Sequence, residues 1–178
     1  MKDFVLLLSK SFGIAEDGVH VALATFDSNA SLVIEFSDHE NYSSFENAVD
    51  KMLRKNEISD EPEVSDAFKG FDVSLKEMFT IKNGMRLEAP NVLFYMTDGN
   101  CSRKEEDCSD EEFRQWRKSF QDSYVTVLGI GFGDDKAYKN DMEIFVGNHY
   151  FHQGNISHIL SAKFRHNLFH CDGKLLIR

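Results

Sequence analysis

Asp98 is the residue most able to do chemistry. It follows an unbroken apolar run, Asn91-Val-Leu-Phe-Tyr-Met96, and opens onto Gly99. A carboxylate on a short loop after a buried strand can hold a hard divalent cation, because such ions take oxygen ligands. Hydroxyls are its natural companions, and Thr97 and Ser65 are the candidates. Taken alone, Asp98-Gly99 is also an ordinary turn dipeptide. Cys101 and Cys108 bracket the polar stretch Ser102-Arg-Lys-Glu-Glu-Asp107 and could close it as a disulfide, bind a metal as thiolates or stay free. Their spacing is not that of a zinc knuckle, and no third or fourth ligand is nearby. Cys171 is left over, and an odd cysteine in a secreted protein asks for a partner elsewhere. His166 and His170 stand four apart on an expected helix, but no third ligand accompanies them, and surface histidines are the better reading. No serine or cysteine has a placed base, which argues against nucleophilic catalysis. The Gly129-x-Gly131-x-Gly133 run lacks the spacing of a dinucleotide loop and reads as a strand end needing close backbone approach.

Four triplets read as glycosylation acceptors: Asn29-Ala-Ser31, Asn41-Tyr-Ser43, Asn100-Cys-Ser102 and Asn155-Ile-Ser157. With 11 asparagines and 20 serines and threonines in 178 residues, chance supplies about 1.2. The excess, with the paired cysteines, points to an extracellular protein.

These residues need a scaffold, and the chain is long enough for one domain with a single core. Hydrophobic residues are 42% and charged residues 28%, an ordinary globular composition. The balance of 20 Lys+Arg against 30 Asp+Glu leaves a net charge of −10, which speaks against a nucleic-acid partner. No apolar run approaches the ~20 residues that span a bilayer. The opening Phe4-Val-Leu-Leu-Leu8 patch is broken by Lys10 and lacks a cleavage site, so it reads as the end of an amphipathic helix rather than a signal peptide.

Gly18–Phe26 and Ser31–Phe36 read as a strand hairpin around the turn cluster Asp27-Ser28-Asn29. Apolar residues at helical spacing predict helices over Tyr42–Lys55 and Val64–Thr80, with Ser65 at a capping position. Asn91–Met96 and Ser123–Ile130 read as buried strands, Asp110–Phe120 and Lys136–Val146 as helices. His149–Phe151 reads as a short strand and Ile156–Phe169 as a last helix. The later strands alternate with helices, which predicts an α/β domain with a mainly parallel sheet covered on both faces. The 16 phenylalanines fall on core positions of these elements.

Four stretches resemble the von Willebrand factor type A domain, in its order and at its spacing: Val19-His-Val-Ala-Leu-Ala-Thr-Phe26, Ser65-Asp-Ala-Phe-Lys-Gly-Phe71, Val92-Leu-Phe-Tyr-Met-Thr-Asp-Gly99 and Val125-Thr-Val-Leu-Gly-Ile-Gly-Phe-Gly133. The resemblance implies a Rossmann-like doubly wound sheet over residues 1–171, with 172–178 as a tail. It also implies a metal-ion-dependent adhesion site. On that pattern Asp98 matches the family's Thr-Asp-Gly aspartate, and Ser65 stands where the family has a threonine; together they form a partial site for Mg²⁺ or Mn²⁺. The family's first strand and its Asp-x-Ser-x-Ser loop have no counterpart here. In the family's strand order, 3-2-1-4-5-6, that strand is central, so the resemblance implies an N-terminally incomplete domain. Cys171 would then pair with a cysteine upstream.

The implied function is a secreted adhesion module, not an enzyme. Its partners would be extracellular matrix proteins such as collagen, or cell-surface receptors. The alternative is a structural matrix component, mineralised or not, without a working metal site.

Overall fold

The computed structural model describes residues 1–53, 65–99, 101, 108–134, 136, 138–147 and 149–152. They fall into two units, one ending at Met85 and the other starting at Arg86.

The first unit opens with α1 (Lys2–Phe12), which Gly13 closes in the left-handed conformation at φ 71°. β1 (Leu23–Phe26) and β2 (Ala30–Ile34) form an antiparallel hairpin, with a register irregularity between Leu23 and Ala24. At the turn, Asp27 Oδ1 accepts the Asn29 backbone N–H at 2.7 Å, a local bond that competes successfully with extension of the strand. The strand is shorter than the sequence suggests. Gly18 lies in a turn that donates to the Ala15 carbonyl, and Val19 reaches only an isolated bridge to Ile14.

α2 (Tyr42–Leu53) starts where Asn41 Oδ1 accepts the Ser44 N–H at 2.9 Å. Its apolar stripe delivers Phe45 and Val49 into a core with Ile14 and Ile34, against which Val5, Leu6, Val21 and Leu23 pack. Lys2 and Asp50 pair at 2.7 Å between α1 and α2, and Lys10 lies over the Tyr42 ring.

α3 (Ala67–Val73) begins later than the apolar period predicts. Its cap is Asp66, whose Oδ1 accepts the Phe68 N–H at 3.1 Å, and not Ser65. It continues as a π-helical turn over Ser74–Met78, closed by Phe79 N–H to the Ser74 carbonyl at 2.9 Å. Gly70 lets α3 approach β1, since a Cβ there would stand 3.0 Å from the Phe26 ring.

The second unit carries β3 (Asn91–Thr97), β4 (Val125–Gly131) and β5 (Tyr150–His152), parallel, with β4 central. The register sets Asn91 beside Val125 and Thr97 beside Gly131. β3 was expected to be buried. Among the described residues it is an edge strand, and most of its positions are half-buried. An apolar run reports cover on the faces of a strand, not neighbours along its edges.

α4 (Asp110–Asp122) starts with a reciprocal cap between Ser109 and Glu112. With α5 (Lys139–Val146) it packs against β4. Phe113, Phe120, Phe145, Leu128, Ile130, Tyr138 and Met142 are fully buried. Phe145 anchors this core through ring contacts with Tyr95, Phe113 and Phe120 at 5.6–6.1 Å between centroids. The glycines of β4 have the expected role: a Cβ on Gly129 would meet Met142, and one on Gly131 would meet the Tyr138 ring. β4 starts at Val125 rather than Ser123 because Tyr124 turns the chain at φ 56°.

The expected helix over 156–169, the tail, Cys171, Asn100, Asn155, His166 and His170 lie outside the described residues.

Candidate functional site

The carboxyl end of β3 is built as a small locked turn. Thr97 is buried, and its Oγ1 donates to the Gly99 carbonyl at 2.9 Å and accepts the Gly99 N–H at 3.3 Å. The Thr97 carbonyl accepts the Phe132 N–H at 2.9 Å, which ties the turn to the end of β4. Thr97 therefore spends its hydroxyl inside the turn and is not the free companion the sequence suggested. Asp98 is exposed between these fixed points. Among the described residues, no hydrogen bond or ion pair engages its carboxylate.

Beyond Gly99 the chain is held again. The Cys101 N–H donates to Asp141 Oδ2, on α5, at 3.0 Å. Cys101 and Cys108 are joined in a disulfide with Cα atoms 5.6 Å apart. Beneath the turn, burial pushes the Tyr95 phenol well above the usual tyrosine range; the Asp141 charge adds to this, and a hydrogen bond with Thr97 opposes it. Asp141 is the residue that sequence reasoning missed. It contacts the turn across 40 residues of chain, and no local pattern marks such a contact.

Ser65 belongs to the first unit and stands, half-buried, at the carboxyl end of β1. Its neighbour Asp66 donates its backbone N–H to the Asp27 carbonyl at 2.9 Å, and the Lys69 ammonium donates to the Ser28 carbonyl. The loop before α3 is thus clamped to the hairpin turn. Asn29, on that turn, and Asn41, at the start of α2, are exposed. Asp27 is a second carboxylate at this strand end, but Oδ1 already holds the turn through Asn29 and Ser28.

Each unit therefore presents an oxygen donor at the carboxyl end of a strand, the place where open α/β sheets bind ligands. The donors are of the type a hard cation takes. Their number is short, because Mg²⁺ demands about six oxygens in near-octahedral array.

The von Willebrand factor type A domain family matches residues 1–161. The chain belongs to this family. Solved structures with the fold of this family agree. Proximal thread matrix protein 1 from the mussel byssus is similar with a TM-score of 0.71 and 18% identity, over 90% of this chain and 39% of that chain. A second structure of the mussel protein, with a zinc-occupied MIDAS motif, gives 0.71 and 17% over 94% of this chain and 41% of that one. Manganese-loaded TRAP protein from Plasmodium vivax gives 0.69 and 15%, over 92% of this chain and 64% of that chain. The chain thus spans less than two thirds of either protein. Among curated proteins no sequence matches.

A von Willebrand factor type A domain is in general a protein-binding module; the mussel neighbour holds zinc in a MIDAS motif and the Plasmodium vivax neighbour is loaded with manganese. The expected mixed α/β architecture is the one found. In this setting Asp98 and Ser65 stand at the carboxyl ends of β3 and β1, each within its own unit.

Proposed function

We propose that this chain is an extracellular adhesion module that binds matrix proteins or cell-surface receptors through a divalent cation. The observation that carries this is Asp98: an exposed carboxylate on a locked turn at the end of a parallel strand, in a chain of a protein-binding family. Asp98 would hold Mg²⁺ or Mn²⁺ through a carboxylate oxygen, and Ser65 is the other candidate ligand. A bound cation would supply a Lewis-acid site for a carboxylate of the partner. Metal dependence requires further oxygens, from water or from an Asp-x-Ser-x-Ser loop, a motif this sequence does not contain. By itself the chain binds the cation weakly. No catalytic role is assigned.

Secretion is supported by the Cys101–Cys108 disulfide, since such bonds persist in oxidising compartments, and by the exposed positions of Asn29 and Asn41. No helix among the described residues is long and apolar enough to cross a membrane. Residues 1–171 form the domain in this reading, with 172–178 as its tail.

Titration with Mn²⁺, read by calorimetry, tests the proposal. A single site abolished by Asp98→Ala, with Tm unchanged, is the expected result. Weak, salt-sensitive calcium binding at many sites, indifferent to Asp98→Ala, would instead mark a structural matrix component. The net charge of −10 favours that second reading.

A further inference from the structure

The turn that carries Asp98 is restrained at residue 101 from two directions. Asp141, in the first turn of α5, accepts the Cys101 N–H at 3.0 Å. The disulfide ties the same residue to Cys108, which directly precedes the capped start of α4 at Ser109. On the other side Thr97 fixes Gly99 through its hydroxyl. Asp98 therefore sits on a short piece of backbone whose two ends are fixed to β3, α4 and α5. Cys101 is buried and Cys108 half-buried, so the disulfide has one sulfur a reductant can approach.

We infer that Asp141 is a positioning residue for Asp98 and that the Cys101–Cys108 disulfide makes ligand binding at Asp98 sensitive to redox state. The inference rests on the reading of Asp98 as a cation ligand. The reductant is a dithiol. Its thiolate attacks the Cys108 sulfur, the S–S bond breaks, and the Cys101 sulfur leaves with the electron pair and takes up a proton. The second thiol of the reductant then displaces Cys108 as a thiol. The protein has taken up two electrons and two protons, and the dithiol has become a disulfide. The covalent tie to α4 is lost, and the backbone beyond Asp98 is then held only by Thr97 and Asp141.

The test uses the full chain and Mn²⁺ alone, with binding read from water-proton relaxation. Removing a group that orients a metal ligand costs affinity by about tenfold or more. A fall of about that size is expected in the Cys101→Ser/Cys108→Ser double variant and in Asp141→Ala. Asp141→Asn keeps an acceptor oxygen and recovers most of the affinity. In the metal-free protein, the amide of residue 101 exchanges faster in the double variant and in Asp141→Ala. Equal Mn²⁺ affinities in all these proteins, with Asp98→Ala alone abolishing binding, overturn the inference and leave the metal reading standing. No Mn²⁺ binding by the oxidised wild-type chain overturns the metal reading instead. The amide of residue 101 then decides the brace, and unchanged exchange in Asp141→Ala overturns that as well.

Discussion

Replacing Gly131 with alanine tests how the end of β4 is packed. The new Cβ would fall 1.9 Å from Cε2 of Tyr138, 2.3 Å from Cζ and 2.7 Å from Cδ2. Carbon atoms pack at roughly 3.5–4.0 Å, so the ring must retreat by about 2 Å. It has nowhere to go: Tyr138 is 0% exposed and sits at the start of α5, whose Met142 is equally buried. Overpacking costs about 1–3 kcal/mol and occasionally more, and this contact belongs at the upper end. The loss of chain freedom in the unfolded state returns about 0.4–1 kcal/mol, because Gly131 does not have a positive φ. The expected net loss is about 2–3 kcal/mol, or roughly 5–10 °C in Tm for a chain of this size. Two other glycines calibrate it. At Gly129 the contacts are the Met142 sulfur at 2.5 Å and Val146 Cγ2 at 2.9 Å; a thioether can swing aside, so Gly129→Ala costs less, about 1 kcal/mol. Gly133 has nothing within 4 Å but a φ of +83°, so Gly133→Ala costs only the conformational term, about 1 kcal/mol. Urea unfolding followed by the fluorescence of Trp116, the single tryptophan and a residue of α4, measures all three. A Gly131→Ala cost below that of Gly133→Ala would refute the packing argument. So would an additive Gly131→Ala/Tyr138→Ala pair, since residues in contact must couple.

Phe45→Ala removes a fully buried ring from the core of the first unit and is expected to cost about 3–5 kcal/mol; chemical denaturation checks it. Asp66→Ala removes the α3 cap at a cost of about 1 kcal/mol, read as a lower midpoint in urea unfolding. Stability falls with acid through His149. Burial, and then the Arg117 charge, lower its pKa below the ordinary 6.5. The folded state thus binds fewer protons than the unfolded one, and the contribution is full above pH 6.5 and lost as pH drops below it. A His149→Gln variant whose Tm keeps the wild-type slope below pH 6.5 would sink this. At the other end, Tyr95 has its pKa raised by burial, so its contribution is full below about pH 10 and declines above it. Tyr95→Phe should flatten that alkaline decline in a Tm-against-pH series.

Elements with a clear period were legible in the sequence. α2 and α4 start at Tyr42 and Asp110, as their apolar spacing predicts, and the glycines of β4 mark where Met142 and Tyr138 close in. What escaped was decided by single atoms. Ser65 and Asp66 are both good caps by type, and the side chain that reaches the Phe68 N–H chooses between them. The switch from α to π at Ser74 is invisible in an apolar spacing that suits both. Tyr124 ends a turn in a conformation rare for its residue type.

The candidate site divides along the same line. What was legible at Asp98 was its place, an acidic turn directly after an apolar strand; Asp98-Gly99 by itself reads equally as a plain turn. Its supports were not readable, because they come from far along the chain: Asp141 from α5, Phe132 from beyond β4 and Cys108 from the threshold of α4. Thr97 shows the consequence. By type it is a metal ligand, and by position it is the pin of the turn. Thr97→Val should therefore disturb binding at Asp98 by loosening Gly99, not by deleting a ligand. The two roles separate in the metal-free protein. Lost protection of the Gly99 amide, before any cation is added, is the mark of a pin. A variant that keeps this protection and still loses Mn²⁺ would return Thr97 to the ligand set.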